Sequence, residues 1–342
     1  MNLGFKWQCA RLGFMLFVSG APLFVLAAGS VPSAECRQIP DASERLACYD
    51  RLHDDRIEAE EAAAADRAAA AISPFDDIAP APSLFDRAWA FDRDSDKALI
   101  RLYRPNYILF GRYTSDVNRA PFTPLFEAAE SDEDLDEWEV KFQLSFKARV
   151  WASEDRRHGI WFSYTQQNQW QVYQGAISSP FRETNYMPEV FGSFRPGISL
   201  GGWDWNLLNY GYTHQSNGRA DPISRSWDRL FLEAGIERGN LALVGRVWHV
   251  FDNTDDNPDI TDYYGYGQLT AFYQHGENRF TLWGRGNIRE GKGAVEATWS
   301  SRPILGPLRA YVQIFHGYGE SMIDYNWNQT TIGLGVTLSD FL

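Results

Sequence analysis

The stretch Val140-Lys141-Phe142-Gln143-Leu144-Ser145-Phe146-Lys147-Ala148-Arg149-Val150 decides the fold class. Its even positions are apolar and its odd positions are polar or charged, without a break. A strand turns successive side chains to opposite faces, so this run has one greasy face and one charged face. Sandwich strands alternate too but are usually about half this length, whereas a strand tilted across a bilayer needs roughly ten residues. The same texture returns at Leu230, Leu232, Ala234 and Ile236. It returns at Leu308, Ala310, Val312 and Ile314 against Arg309, Tyr311, Gln313 and Phe315. Ile332, Leu334, Val336 and Leu338 repeat it against Thr331, Gly333, Gly335 and Thr337. Trp203, Trp205, Tyr210 and Tyr212, and likewise Tyr263, Tyr264 and Tyr266, cluster near strand ends, as aromatic girdles at membrane interfaces do.

Outward from these strands, the texture holds from about residue 95 to the end. That leaves about 245 residues, and at roughly 20 residues per strand and connection the expectation is an all-β, antiparallel transmembrane barrel of about 12 strands. No stretch of about 18 apolar residues follows the N-terminus, which excludes membrane-spanning helices there. Aromatic residues are 15% of the 342 and hydrophobic ones 44%, against intrinsic disorder. With 32 Lys+Arg against 45 Asp+Glu and no long basic run, a nucleic-acid partner is not expected.

Residues 1–28 read as a secretory signal: Lys6 and Arg11, an apolar run from Leu12 to Leu26, then Ala27 and Ala28. Its removal would take the net charge from −13 to −15. Cys9 leaves with it, and an oxidising periplasm would pair Cys36 with Cys48. A metal site on these two cysteines is the weaker reading, with only His53 nearby. The Ala/Glu-rich run that opens at Ile57 is helix-prone but lacks a large apolar face, and Pro74, Pro80 and Pro82 end it. Residues 29–94 therefore read as a short disulfide-tied and helical periplasmic extension, and 95–342 as the barrel. The acidic run Glu127–Glu137 reads as a hydrophilic loop. His53, His158, His249, His275 and His316 have no partners of note and are expected in solvent or in the lumen.

The chemistry lies in Tyr210–Arg229, YGYTHQSNGRADPISRSWDR. His214 and Ser216, two apart on a strand, share a face, and a base beside a hydroxyl is the start of a nucleophilic triad. Such a pair is also common as a hydrogen-bonded polar pair at a barrel rim. Parity sharpens the reading. Leu208, Tyr210, Tyr212, His214 and Ser216 share one face. Ser224, Ser226, Asp228, Leu230 and Leu232 share a face of the returning strand, and that face is apolar further on. If no bulge intervenes, His214, Ser216 and Asp228 project together from the lipid side. A polar trio there serves no transport; it is placed to attack something dissolved in the bilayer.

The segment resembles the active-site region of the outer-membrane phospholipase A family, dimeric, calcium-dependent, 12-stranded barrels. Tyr164–Gln166 (YTQ), Ser178–Tyr186 (SSPFRETNY), His214–Arg219 (HQSNGR), Asn253–Ile260 (NTDDNPDI), Gly317–Ser321 (GYGES) and Asp324–Asn326 (DYN) resemble family patterns in the same order. The resemblance implies Ser216 as nucleophile, His214 as general base and the Gly218 N–H in the oxyanion hole. It implies position 228 as third member, where the family carries Asn and this chain carries Asp. Asp orients the imidazole as Asn does and also stabilises the imidazolium. The resemblance further implies Ca2+ bound by the Arg219 carbonyl and the Ser224 hydroxyl, completed by Ser178 of the other subunit. Asp221 and Asp256 would form a second, weaker site, although acidic loops are often merely solvated. Gln166 would lie at the homodimer seam, where pairing relieves a polar group facing lipid. The expected function is hydrolysis of membrane phospholipids in the bacterial outer membrane. The alternatives are a non-catalytic barrel, either a small pore or a structural protein, and more distantly a soluble β-sandwich esterase.

Overall fold

The computed structural model describes residues 36–51, 53–54, 57, 83–128, 134–175, 180–252 and 256–340. The expected signal at 1–28 and Ser178 lie outside the described residues. The chain forms two compact units, 1–79 and 80–342. In the first, Cys36 and Cys48 are disulfide-bonded with Cα atoms 5.7 Å apart. A helix follows over 42–51. Asp41 caps it, accepting the amides of Ser43 and Glu44 at 3.0 Å each.

The second unit is a barrel. Its strands are β1 (Leu99–Leu102), β2 (Asn106–Thr114), β3 (Trp138–Ala152), β4 (His158–Trp170), β5 (Phe181–Phe194), β6 (Ile198–Leu200), β7 (Trp203–Ser216), β8 (Ser226–Arg238), β9 (Leu241–Asp252), β10 (Gly267–His275), β11 (Asn278–Asn287), β12 (Lys292–Leu305), β13 (Leu308–Tyr318) and β14 (Asn328–Ser339). Neighbours pair antiparallel, and β14 pairs with β2, which closes the sheet. The short β1 pairs along β3 beyond the segment that β2 occupies, and β6 pairs with the start of β7 beyond β5. These two pieces extend their predecessors, so the wall has twelve staves, as the length of the patterned region predicts. Closure leaves no open edge, the condition for a sheet in lipid. No helix among the described residues is long and apolar enough to cross a membrane.

Alternation holds along the wall. Leu144, Phe146 and Val150 point outward and are exposed, whereas Ser145, Lys147 and Arg149 are buried in the lumen. Ile332, Leu334 and Leu338 point outward, against buried Thr331 and Thr337. Several charges inside the lumen are paired, which offsets the cost of burying them: Arg112 with Glu139 at 2.7 Å, Lys141 with Glu320 at 2.8 Å, Arg182 with Asp324 at 3.0 Å. Strand connections are short at one end, as at 239–240, 276–277 and 306–307, and long at the other, as at 217–225 and 319–327.

A short helix, Leu84–Trp89, plugs the lumen at the short-turn end. Ser83 caps it by accepting the Asp86 amide at 2.9 Å. Its Phe85 and Trp89 join the buried cluster with Phe191, Phe231 and Trp161 from the inner wall, and the Leu84 amide donates to Glu237 at 2.7 Å. The Lys147 ammonium sits 3.5 Å above the Trp89 ring, a cation–π contact.

The outward face is a lipid face, and this has a measurable consequence. Leu232 lies mid-strand on β8, outward and half exposed. Leu232→Arg is expected to destabilise the barrel by about 2–4 kcal/mol in denaturant unfolding from bilayers. A soluble protein would tolerate the same exposed substitution.

Candidate active site

β7 and β8 form one hairpin, and its pairing decides where the trio points. From Leu207↔Gly235 to Ser216↔Ser226 the register runs without a bulge, with His214 directly opposite Asp228. The even positions of both strands therefore face outward together. Tyr210, Leu230 and Leu232 on that face are exposed; Asn209, Thr213, Trp227 and Phe231 on the other are buried. His214, Ser216 and Asp228 stand on the outer wall, at its long-loop end, as parity predicts.

His214 Nδ1 lies 2.9 Å from Asp228 Oδ1. With Nδ1 protonated and donating to the carboxylate, Nε2 is left with a lone pair, the tautomer a general base requires. Ser216 lies two residues along the same face. No hydrogen bond joins its hydroxyl to His214 in this structure, and catalytic bonds of this kind commonly tighten only around substrate. Gly218 has φ +64°, and a Cβ there would lie 2.9 Å from the Tyr186 ring. Only glycine fits both demands. Its N–H makes no hydrogen bond to the described residues, so it is available to an incoming oxygen.

The loop that follows carries three of the expected cation ligands, and Asp256 lies in the connection between β9 and β10. Arg219 and Ser224 are half-buried, Asp221 is exposed and Asp256 half-buried. The Arg219 carbonyl and the Ser224 hydroxyl have no hydrogen-bond partner among the described residues. All four are oxygen donors, which suits a hard cation. The described residues hold no cluster of three or more His, Cys, Asp or Glu able to form a cage alone. The donor types therefore suit calcium at each of the two expected sites, the Arg219–Ser224 site and the Asp221–Asp256 site, and further oxygens would have to complete either.

Several residues that build the site escape sequence reasoning. Asn217 is buried and closes the loop: its side chain donates to the Ile223 carbonyl at 2.7 Å and accepts the Arg225 amide at 3.0 Å. Asn257 brackets Ser226, accepting its amide and donating to its carbonyl at 2.9 Å each. The Arg219 guanidinium reaches the Phe181 and Arg182 carbonyls at 2.9 and 3.0 Å, tying the loop to the head of β5. Behind the trio, on the lumen side, Gln215 accepts from Trp227 at 3.1 Å and from Arg229 at 2.9 Å. The Asn-Gly and Asn-Pro pairs are the only signal of the first two, since Asn in such turns bonds nearby backbone.

Gln166 points outward from β4, among Tyr164 and Asn168. Tyr164 donates to its carbonyl oxygen, and its amide donates to Asn168, both at 3.0 Å. His249 and His316 correct an expectation. Both face outward rather than into the lumen, because they share parity with exposed Val247 and Ile314. Tyr264 is corrected likewise. It is buried in the lumen beneath the Arg285 guanidinium, not in a girdle, because the helix Ile260–Tyr264 folds inward.

With that geometry in view, residues 85–338 match the family model for phospholipase A1. The chain belongs to the phospholipase A1 family. It is 42% identical over 245 residues to phospholipase A1 of Klebsiella pneumoniae, covering 71% of this chain and 83% of that one. Its fold matches the outer membrane phospholipase dimer of Salmonella typhi with bound calcium, with TM-score 0.69 and 38% identity over 75% of this chain and 98% of that one. It also matches outer membrane phospholipase A of Escherichia coli in an asparagine-to-alanine active-site mutant, with TM-score 0.70 and 38% identity over 76% and 100%.

Gly218→Ala adds a methyl group at positive φ against Tyr186. As the turn shifts to relieve that strain and moves its N–H, lipid hydrolysis is expected to fall about five- to thirtyfold, the equivalent of roughly 1–2 kcal/mol, while the folded barrel keeps its gel mobility.

Proposed function

We propose that the chain is a calcium-dependent outer-membrane phospholipase A. It hydrolyses acyl esters of membrane phospholipids from the outside of the barrel, as a homodimer. The observation that carries this reading is the His214–Asp228 pair at 2.9 Å on the lipid face, with Ser216 two residues along.

His214 Nε2 takes the proton of Ser216 as its Oγ attacks the acyl carbonyl. Asp228 holds the imidazole in register and balances its positive charge. The Gly218 N–H receives the oxyanion of the tetrahedral intermediate. His214 then gives the proton to the leaving lysophospholipid oxygen, and water, deprotonated by His214, clears the acyl group. Arg219 (through its carbonyl), Ser224 and, from the other subunit, Ser178 would hold calcium, with Asp221 and Asp256 at a weaker site. A bound calcium supplies Lewis-acid stabilisation of negative oxygen. Gln166 sits on the subunit seam, where a partner relieves the cost of a polar group against lipid. On the same reading residues 1–28 direct export, and the periplasmic extension runs from residue 29 only as far as the Leu84–Trp89 plug.

Ser216→Ala is expected to abolish fatty-acid release from mixed micelles while the barrel folds, and chelation of calcium to abolish it reversibly. Normal hydrolysis by the alanine variant rejects the nucleophile. Asp228→Asn is expected to keep substantial activity, because its amide oxygen still accepts from His214. Asp228→Ala is expected to lose about 100-fold or more; an unchanged rate removes Asp228 from the trio.

A further inference from the structure

Asp228 has a second donor. The Tyr212 hydroxyl lies 2.5 Å from the same oxygen, Oδ1, that His214 Nδ1 approaches at 2.9 Å. Tyr212 precedes His214 by two residues on the outward face of β7, and its register partner Leu230 follows Asp228 by two on β8. The phenol and the imidazole thus flank the carboxylate diagonally and along one strand pair. Oδ2 takes no hydrogen bond from the described residues. A carboxylate held by histidine alone can turn about its Cβ–Cγ bond and exchange oxygens. Two donors converging on one oxygen stop that rotation. The separation falls in the range of a charge-assisted O–H···O⁻ bond, and the phenol also satisfies a lone pair that low-polarity surroundings would leave bare.

We propose that Tyr212 is a positioning residue of the reaction, a fourth member of the constellation that acts through Asp228 and touches neither substrate nor Ser216. This rests on the catalytic reading above. The competing explanation is that Tyr212 is only a girdle aromatic. Its ring is exposed and lies 5.9 Å from that of Phe251, as such a role requires. The two differ in what the hydroxyl does. A girdle tyrosine works through its ring, and phenylalanine keeps that ring. A positioning tyrosine works through the oxygen, and only while Asp228 is there to receive it.

The experiment is a double-mutant cycle on the full-length protein in calcium-containing mixed micelles of a phospholipid, reading kcat and KM separately. Tyr212→Phe is expected to lower kcat about fivefold, the effect of one ordinary hydrogen bond, with KM unchanged. In the Asp228→Ala background the same change is expected to cost nothing further. Gel mobility and circular dichroism check that each variant folds, and the retained ring makes loss of Tyr212→Phe to misfolding readily visible. An unchanged kcat overturns the proposal. So does a rise in KM alone, which marks a lipid-packing role, and so does an equal loss in the Asp228→Ala background, which marks a structural one. Ser216→Ala separates the two levels: if it is inactive while Tyr212→Phe is normal, only the role of Tyr212 falls; if it is active, the catalytic reading falls and this inference with it.

Discussion

A strand in a closed membrane barrel has no freedom over which face meets lipid. Every backbone group must be bonded to a neighbour, so the period of two persists for as long as the ladder does. The unbroken pairing from Leu207↔Gly235 to Ser216↔Ser226 carries that constraint into the candidate site. One bulge in that span would swing His214 and Ser216 into the lumen and leave Asp228 behind. The outward trio is a consequence of register, and everything proposed about ester cleavage depends on it.

Polar groups on a lipid face are expensive, and this hairpin limits the cost in two ways. The trio sits at the last rungs before the 217–225 loop, where substitution by charge is far cheaper than at the midplane. Its carboxylate is also satisfied, with Asp228 accepting from both His214 and the neighbouring Tyr212. The opposite face of the same rungs is braced from within by Gln215, Trp227 and Arg229. The lumen beyond holds ion pairs and the Phe85–Trp89 plug around a cavity that Gln215 and Arg229 help to line. A site mounted on strands that are hydrogen-bonded on both sides is held more firmly than one on loops.

Much of this was legible in the residues. Val140–Val150 announces a membrane strand because alternation survives for a full span, and the patterned length sets the number of staves. His214, Ser216 and Asp228 could be placed on one side by counting, since regular strands preserve parity. What could not be read lies where regularity ends. The Leu84–Trp89 plug is too short for a periodic signal, and its burial follows from long-range packing on Phe191 and Phe231. Tyr264 looks like a girdle residue by composition, yet a five-residue helix carries it inward. Asn217 and Asn257 act through backbone bonds whose partners only the folded loops supply. His249 and His316 were expected in water or lumen by their polarity, but parity places them outside. Tyr212 reads as a girdle residue, because nothing in sequence tells a ring that faces lipid from a hydroxyl that reaches a carboxylate.

The central claim is that the serine on the outer wall is the nucleophile that meets lipid. Its most direct measurement is covalent capture: the protein in mixed micelles with calcium is treated with a long-chain alkyl fluorophosphonate and the adduct is mapped by peptide mass spectrometry. The account expects one adduct, on Ser216, formed in step with loss of hydrolysis. An adduct on another residue that tracks inactivation, or full inactivation with Ser216 unmodified, would contradict it.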